Sequence, residues 1–214
     1  MLSLLGFALL TSLVLGMRHA TDPDHVVAVS TIVSQEKSLA RAAGIGALWG
    51  LGHTLTILLV GAAIILLKLQ LSPRLGLSME FAVAVMLIVL GCLNLFDVKP
   101  TGGRLTTMRP MFVGIVHGLA GSAAATLLVL PLIPDPRWAV AYLLVFGVGT
   151  VAGMALMTIA VAAPSVFAAG RVAGMRRWIR IGSGALSLCF GLWLAHRIGF
   201  TDGLFTGTPR WTPQ

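Results

Sequence analysis

The chain has 214 residues, of which 57% are hydrophobic and only 10% charged, with a mean hydropathy of +0.95. Soluble domains carry about 25% charged residues, so this composition excludes an ordinary soluble domain and points to an integral membrane protein. The net charge of +8 does not argue for a nucleic-acid partner, because the basic residues fall in short stretches between apolar runs, where membrane proteins place them.

Apolar runs near the ~20 residues of a helical span predict an all-α bundle and not a β-barrel. The first runs from Leu2 to Val33. Leu2–Leu15 resembles a signal-peptide core, but it lacks a basic flank, and Arg18-His19 stands where small cleavage-site residues belong, so the segment is expected to be retained. The run is interrupted at Arg18–Pro23, and His25–Val33 is too short to cross a bilayer alone at about 1.5 Å per residue. A broken helix follows. Pro23 lacks an N–H and its ring clashes with the carbonyl four residues back, while Asp22-Pro23 makes a good helix start, with Asp as N-cap and Pro at the first helical position.

Further spans are expected at about Gly44–Leu67, Ser78–Phe96, Pro110–Pro131, Ala139–Ala163 and Ile181–Gly199, giving about six transmembrane helices in one polytopic domain, 1–199. Residues 200–214 are expected to form a short exposed tail. Cys92 and Cys189 lie within apolar runs and outside any Cys-x-x-Cys pattern.

The spans repeat a pattern. Gly16-x-x-His19 matches Gly114-x-x-His117, Trp49-Gly50-Leu51-Gly52 matches Phe146-Gly147-Val148-Gly149, and Leu90-Gly91 falls opposite Phe190-Gly191. The order is preserved at a nearly constant offset, which predicts halves of about 1–97 and 98–199. Two halves of three spans enter the membrane in opposite directions, so a 3+3 inverted repeat is expected. The stretches after spans one, three and five hold Lys37, Arg41, Lys99, Arg104, Arg109, Arg171, Arg176, Arg177 and Arg180, against Lys68, Arg74, Arg137, Arg197 and Arg210 on the other side. The positive-inside rule then places both termini outside the cell's inner (plasma) membrane.

Arg18, His19, Asp22, Asp24 and His25 stand at bilayer depth on this reading, where each charge costs about 2.5–3.5 kcal/mol on the insertion scale. Imidazole nitrogen and carboxylate oxygen without thiolate suit Ni, Co or Zn and disfavour Cu(I). On an unbroken helix, residues five and six apart point about 140° and 240° from the first, so only the break lets His19 share an ion with Asp24 and His25. The bland account makes Asp22 a cap, Arg18 its counter-ion and the histidines satisfied interior groups. One acid suffices for a cap, however, and the cluster has two, with two imidazoles. On the next span, Gly46, Gly50 and His53 share a face, and Gly46-x-x-x-Gly50 permits a close helix contact that would carry His53 inward, as a further ligand or as a lone interhelical hydrogen bond. His117, opposite His19 in the repeat, and Ser122, opposite Asp24, are pathway or second-half residues, with Arg18 and Thr54 beside the main site; a packing role is the alternative for His117. Glu80, Asp97, His196 and Arg197 sit at span ends, where polar groups reach water.

Arg18-His19-Ala20-Thr21-Asp22-Pro23-Asp24-His25 resembles the His-x-x-x-x-Asp-His signature of the nickel/cobalt transporter family, and Leu51-Gly52-His53-Thr54 is similar to its Leu-Gly-His-Ser/Thr element. The resemblance covers Gly16–Leu58 best. Pro23 replaces a usual Ala, and the family's later acidic signatures are missing; His117-Gly118-Leu119-Ala120-Gly121-Ser122 looks like the shorter, UreH-like branch. The resemblance implies a Ni²⁺/Co²⁺ permease with His19, Asp22, Asp24, His25 and His53 at the metal.

The expected function is therefore secondary transport of Ni²⁺ or Co²⁺ as substrate, with no permanently bound cofactor and no catalytic residue. The bilayer and a divalent ion are the expected partners. No Gly-x-x-x-x-Gly-Lys-Ser/Thr occurs, which removes that route to ATP hydrolysis. Two alternatives stand beside it: a DsbD-type thiol-redox electron carrier using Cys92 and Cys189, and an accessory protein that delivers metal without transporting it.

Overall fold

Local chemistry sets most of the helix boundaries in the computed structural model, which describes residues 2–69, 71–98, 103–129, 133, 135–168 and 174–211, with side chains at 2–5, 103–106, 121–129 and 168 left aside. Every regular element among these residues is helical: α1 (Leu2–His19), α2 (Pro23–Val33), α3 (Leu39–Leu67), α4 (Pro73–Leu95), α5 (Gly103–Val129), α6 (Pro136–Ala168) and α7 (Met175–His196), which passes into a π-helical turn, Arg197–Thr201. Ser38 and Ser72 cap α3 and α4, accepting hydrogen bonds from the Arg41 and Leu75 amides, and Pro73 and Pro136 stand in first turns. Lys68, at φ 51°, ends α3 with its amide on the Ile64 carbonyl.

Four helical segments, Leu39–Leu67, Pro73–Leu95, Pro136–Phe167 and Met175–Thr201, are long and apolar enough to cross a membrane. The protein is a helical membrane protein. The break in the first run falls where it was expected, between His19 and Pro23. Two prolines act differently from expectation. Spans were expected to begin at Pro110 and to end at Ala163, but Pro110 and Pro164 both lie inside helices, α5 and α6. Each removes one helical hydrogen bond, a loss that neighbouring helices and local adjustment absorb in membrane bundles.

Glycines set the packing. A Cβ on Gly16 would overlap the Phe146 carbonyl, one on Gly149 the Leu13 carbonyl, and one on Gly153 would crowd the Met17 backbone, so α1 and α6 run parallel in near-backbone contact. In the same way Gly114 meets the Trp49 carbonyl, Gly52 the Met111 carbonyl and Gly118 the His53 backbone, which makes α3 and α5 parallel. Gly46 against Met154 and Gly50 against Val151 run α3 antiparallel to α6; Gly91 against Gly184 and Gly191 against Ala84 do so for α4 and α7. These are the close approaches that small residues permit in membranes. Ser12 and Ser187 add hydrogen bonds across the seams, to the carbonyls of Tyr142 (2.7 Å) and Leu87 (2.8 Å).

The half-helix α2 sits against α4, α6 and α7. Asn94 on α4 holds its far end, donating to the Thr31 carbonyl at 2.9 Å. Val29, Val33, Trp49, Leu87 and Met154 belong to the core that surrounds α2. Beyond Gly199 the chain does not simply project into solvent. Residues 205–208 are exposed, while Trp211 lies over Gly76 and Phe205 meets Phe81 with ring centroids 5.3 Å apart. Aromatic rings find apolar partners on α4, which the Gly, Thr and Pro content of the tail concealed.

Candidate metal centre

The break between α1 and α2 is a tight turn. The amides of Thr21 and Asp22 donate to the Arg18 and His19 carbonyls at 2.8 and 3.1 Å, so both carbonyls already accept a hydrogen bond, two fewer sources of negative charge than an open helix end would supply. Asp22 occupies the N-cap of α2 with extended backbone (φ −60°, ψ 144°), but its side chain makes no cap hydrogen bond. Its Oδ2 lies instead 2.7 Å from His19 Nδ1.

Asp24 faces two rings. Its Oδ1 is 3.0 Å from His25 Nδ1 and its Oδ2 is 2.8 Å from His117 Nε2, while the His25 amide donates to Oδ1 at 2.9 Å. An ionised carboxylate only accepts, so each imidazole nitrogen facing one carries the proton. That fixes three tautomers: His19 and His25 present Nε2 lone pairs, and His117 presents Nδ1. His25 Nε2, His117 Nδ1 and His53 Nδ1 are buried and without hydrogen-bond partners among the described residues. Orphaned nitrogens of this kind are uncommon in protein interiors and call for a ligand, water or ion.

α3 brings the fourth imidazole. His53 is 0% exposed, and its Nε2 is 3.1 Å from His19 Nε2. Two ligands about 2.0–2.1 Å from one ion, at tetrahedral to octahedral angles, lie about 2.8–3.4 Å apart. The pair is thus spaced as two ligands of a single metal. Around His25, itself 2% exposed, the rings of His117, His19 and His53 stand with centroids at 4.1, 4.6 and 5.2 Å. Two sets of groups come close enough to hold an ion, His19–His25–His53 and Asp24–His25–His117, each with candidate ligand atoms within 4.8 Å. His25 is common to both. His19 and His117 do not meet directly; His25 stands between them.

The remaining expected residues fall elsewhere. Thr54 donates to the Gly147 carbonyl at 3.1 Å, in the α3–α6 seam. Arg18 is exposed and its side chain is paired with no acid among the described residues, so it is not the counter-ion of Asp22. The Ser122 side chain lies outside the described residues. His196 packs on Phe200, with centroids 5.3 Å apart. Cys92 is partly buried and Cys189 exposed, both as free thiols.

Two residues escaped the sequence reading as parts of this centre. Trp49, 1% exposed, stacks on His25 at 5.4 Å. Its place in Trp-Gly-Leu-Gly, four residues before His53, is the signal that could have found it. Glu80 lines the same cavity of about 460 Å³ as His19, Asp22, Asp24, His25 and His117. An acid in the third turn of an apolar span was its signal.

Against known proteins, the chain is 37% identical over 210 residues, 90% of its length and 92% of the other's, to a protein of Bacillus sp. (strain TB-90) described as "Urease accessory protein UreH". No family model and no solved structure matches it.

Proposed function

The chain belongs to the UreH family, and on that premise we propose that it is a secondary transporter for Ni²⁺ or Co²⁺ in the cell's inner membrane. The observation that carries the reading is the convergence of His19, His25 and His53 with Asp22 and Asp24 bonded behind the rings. On this reading His19 Nε2, His25 Nε2 and His53 hold the ion. Asp22 and Asp24 orient the rings and raise their basicity, as carboxylates behind metal-bound histidines do. His117 shares Asp24 and offers Nδ1 on the adjoining side, a second station for an ion leaving the first. The nitrogen-rich set without thiolate favours borderline divalent ions.

The architecture on this reading is a 3+3 inverted repeat. α1, α3 and α4 correspond to α5, α6 and α7, and the helix directions support it, since α3 and α6 are antiparallel, α4 and α7 likewise, and α1 parallels α6 while α5 parallels α3. The glycine contacts also pair: Gly16 on Phe146 mirrors Gly114 on Trp49, and Gly149 on Leu13 mirrors Gly52 on Met111. The first span of each half differs. It is broken in one and continuous in the other, which concentrates the charge on one half.

The membrane potential supplies the work for import: a divalent cation moving inward across 100 mV gains about 4.6 kcal/mol, twice the single-charge value. Proteoliposomes with an interior-negative potential test the reading. Ni²⁺ or Co²⁺ should accumulate with the intact protein and fail to do so with His25→Ala. Equal accumulation by the variant would sink the site. The relative's description as an accessory protein favours a second reading, metal delivery without transport, and vesicles that bind Ni²⁺ without admitting it would establish that one.

A further inference from the structure

The C-terminal tail packs on α4 and reaches Glu80, a residue that lines the cavity leading to the histidines. The indole of Trp211 occupies the space a side chain at position 76 would fill, and its Nε1 donates to Glu80 Oε1 at 2.8 Å. This holds Glu80 on the cavity wall by one carboxylate oxygen. Asp22 and Asp24 line the same cavity. Arg197 lines it too, but its Nε is 3.6 Å from Asp202 Oδ2, so its charge is answered by an acid outside the lining. Three carboxylates therefore line a space shared with Arg197, the imidazoles of His19, His25 and His117, and apolar groups such as Val83, Phe190 and Trp193. Low-dielectric walls with one sign of charge focus the field and raise the local concentration of the opposite ion.

Acids alone would not make this a site. The same cavity reaches His25 and His117, each 2% exposed and each with a ring nitrogen that lacks a partner among the described residues. Glu80 on α4 therefore adds carboxylate oxygen to the cavity that imidazole nitrogen also lines. A hydrated divalent cation meets hard oxygen first and nitrogen after it has shed water.

We propose that Glu80 is a further ion-contacting residue, the outer carboxylate that captures the divalent cation before it passes to the histidines, with Trp211 as its positioning residue. The proposal rests on the transport reading. It adds a residue from α4 to a site otherwise built from α1, α2, α3 and α5.

Glu80→Gln tests it, because the amide oxygen still accepts from Trp211 while the charge is lost. In proteoliposomes at low salt, the Ni²⁺ concentration for half-maximal initial entry should rise about tenfold, the lower end of electrostatic focusing, with the maximal rate retained. The difference from wild type should shrink as ionic strength rises and screening shortens the reach of the charge. Glu80→Asp should recover much of the loss, and Trp211→Phe, which keeps the charge, should lose less than Glu80→Gln. A wild-type protein that admits Ni²⁺ beside a Glu80→Gln variant with unchanged half-saturation overturns the role of Glu80 alone. So does a loss insensitive to salt and matched by Trp211→Phe, which marks a structural bond. A wild-type protein that admits no metal overturns both this role and transport itself.

Discussion

Asp22 and Asp24 are where the chemistry of single residues departs most from what the motif suggests. Both were read as metal ligands, yet each carboxylate is bonded to imidazoles, Asp22 to His19 and Asp24 to His25 and His117. On the transport reading proposed above they act from behind the rings and tune affinity. Asp22→Asn and Asp24→Asn should each weaken Ni²⁺ binding about 10–100-fold, the usual effect of outer-shell partners, measured by equilibrium dialysis of detergent-purified protein. Asp24, which orients two rings, should cost more than Asp22; the reverse order would contradict the assignment. Because the metal needs neutral imidazole, protons compete with it. Ni²⁺ uptake should therefore weaken at acidic pH, read as a rise in the half-saturating Ni²⁺ concentration, and uptake undiminished throughout the acid range would argue against histidine ligands. The motif residues were legible because charge at bilayer depth stands out in an apolar sequence. Trp49 and Glu80 were not, since each reads locally as an ordinary member of a membrane helix, and only the packing of α3 and α4 brings them to His25 and to the cavity.

At the scale of elements, the break at Pro23 and the glycine seams do separate jobs. The break aims His19 from α1 and Asp24 and His25 from α2 at one point; a continuous helix would splay them. Pro23→Ala restores the missing N–H, permits helix through the turn, and should lower Ni²⁺ binding more than it lowers the melting temperature in detergent. The seams should respond the other way. A Cβ on Gly16 or Gly114 meets a backbone carbonyl that cannot move aside, so Gly16→Ala and Gly114→Ala should each destabilise by about 1–3 kcal/mol, an overpacking cost. Gly44 and Gly182 face open space, and alanine there should be neutral or stabilising by up to about 1 kcal/mol. Thermal melts of the four variants check the contrast. The break could be read from Pro23, because its effect is local, whereas the spans expected from Gly44 and Ser78 begin earlier, at the Ser38 and Ser72 caps. The interior prolines could not, because whether Pro110 and Pro164 end a helix depends on neighbours that no local pattern specifies.

For the whole molecule, the charged ends decide which way the cavity opens. Its lining includes Glu80 from the first half of α4, Phe190, Trp193 and Leu194 from the end of α7, and Arg197 just after it. At the opposite end, where α4 ends and α7 begins, a second cavity is lined by Arg176, Arg177 and Arg180 with Gln35 and Asp97. Lys and Arg gather on the cytoplasmic side of membrane proteins, so the arginine end should lie inside and the histidine cavity should open outward, as import requires. The charge asymmetry was legible in the sequence, but its link to the cavity was not, because α4 and α7 line it from segments far apart in the chain. Labelling in intact cells tests the orientation. In a background of Cys92→Ala and Cys189→Ala, which should transport normally if neither thiol takes part, Gly207→Cys on the exposed tail should react with a membrane-impermeant maleimide. Lys37→Cys, in the exposed turn before α3, should react only after permeabilisation. The reverse pattern would turn the cavity mouth to the cytoplasm. Glu80 would then receive ions from inside, and the same histidine site would serve export.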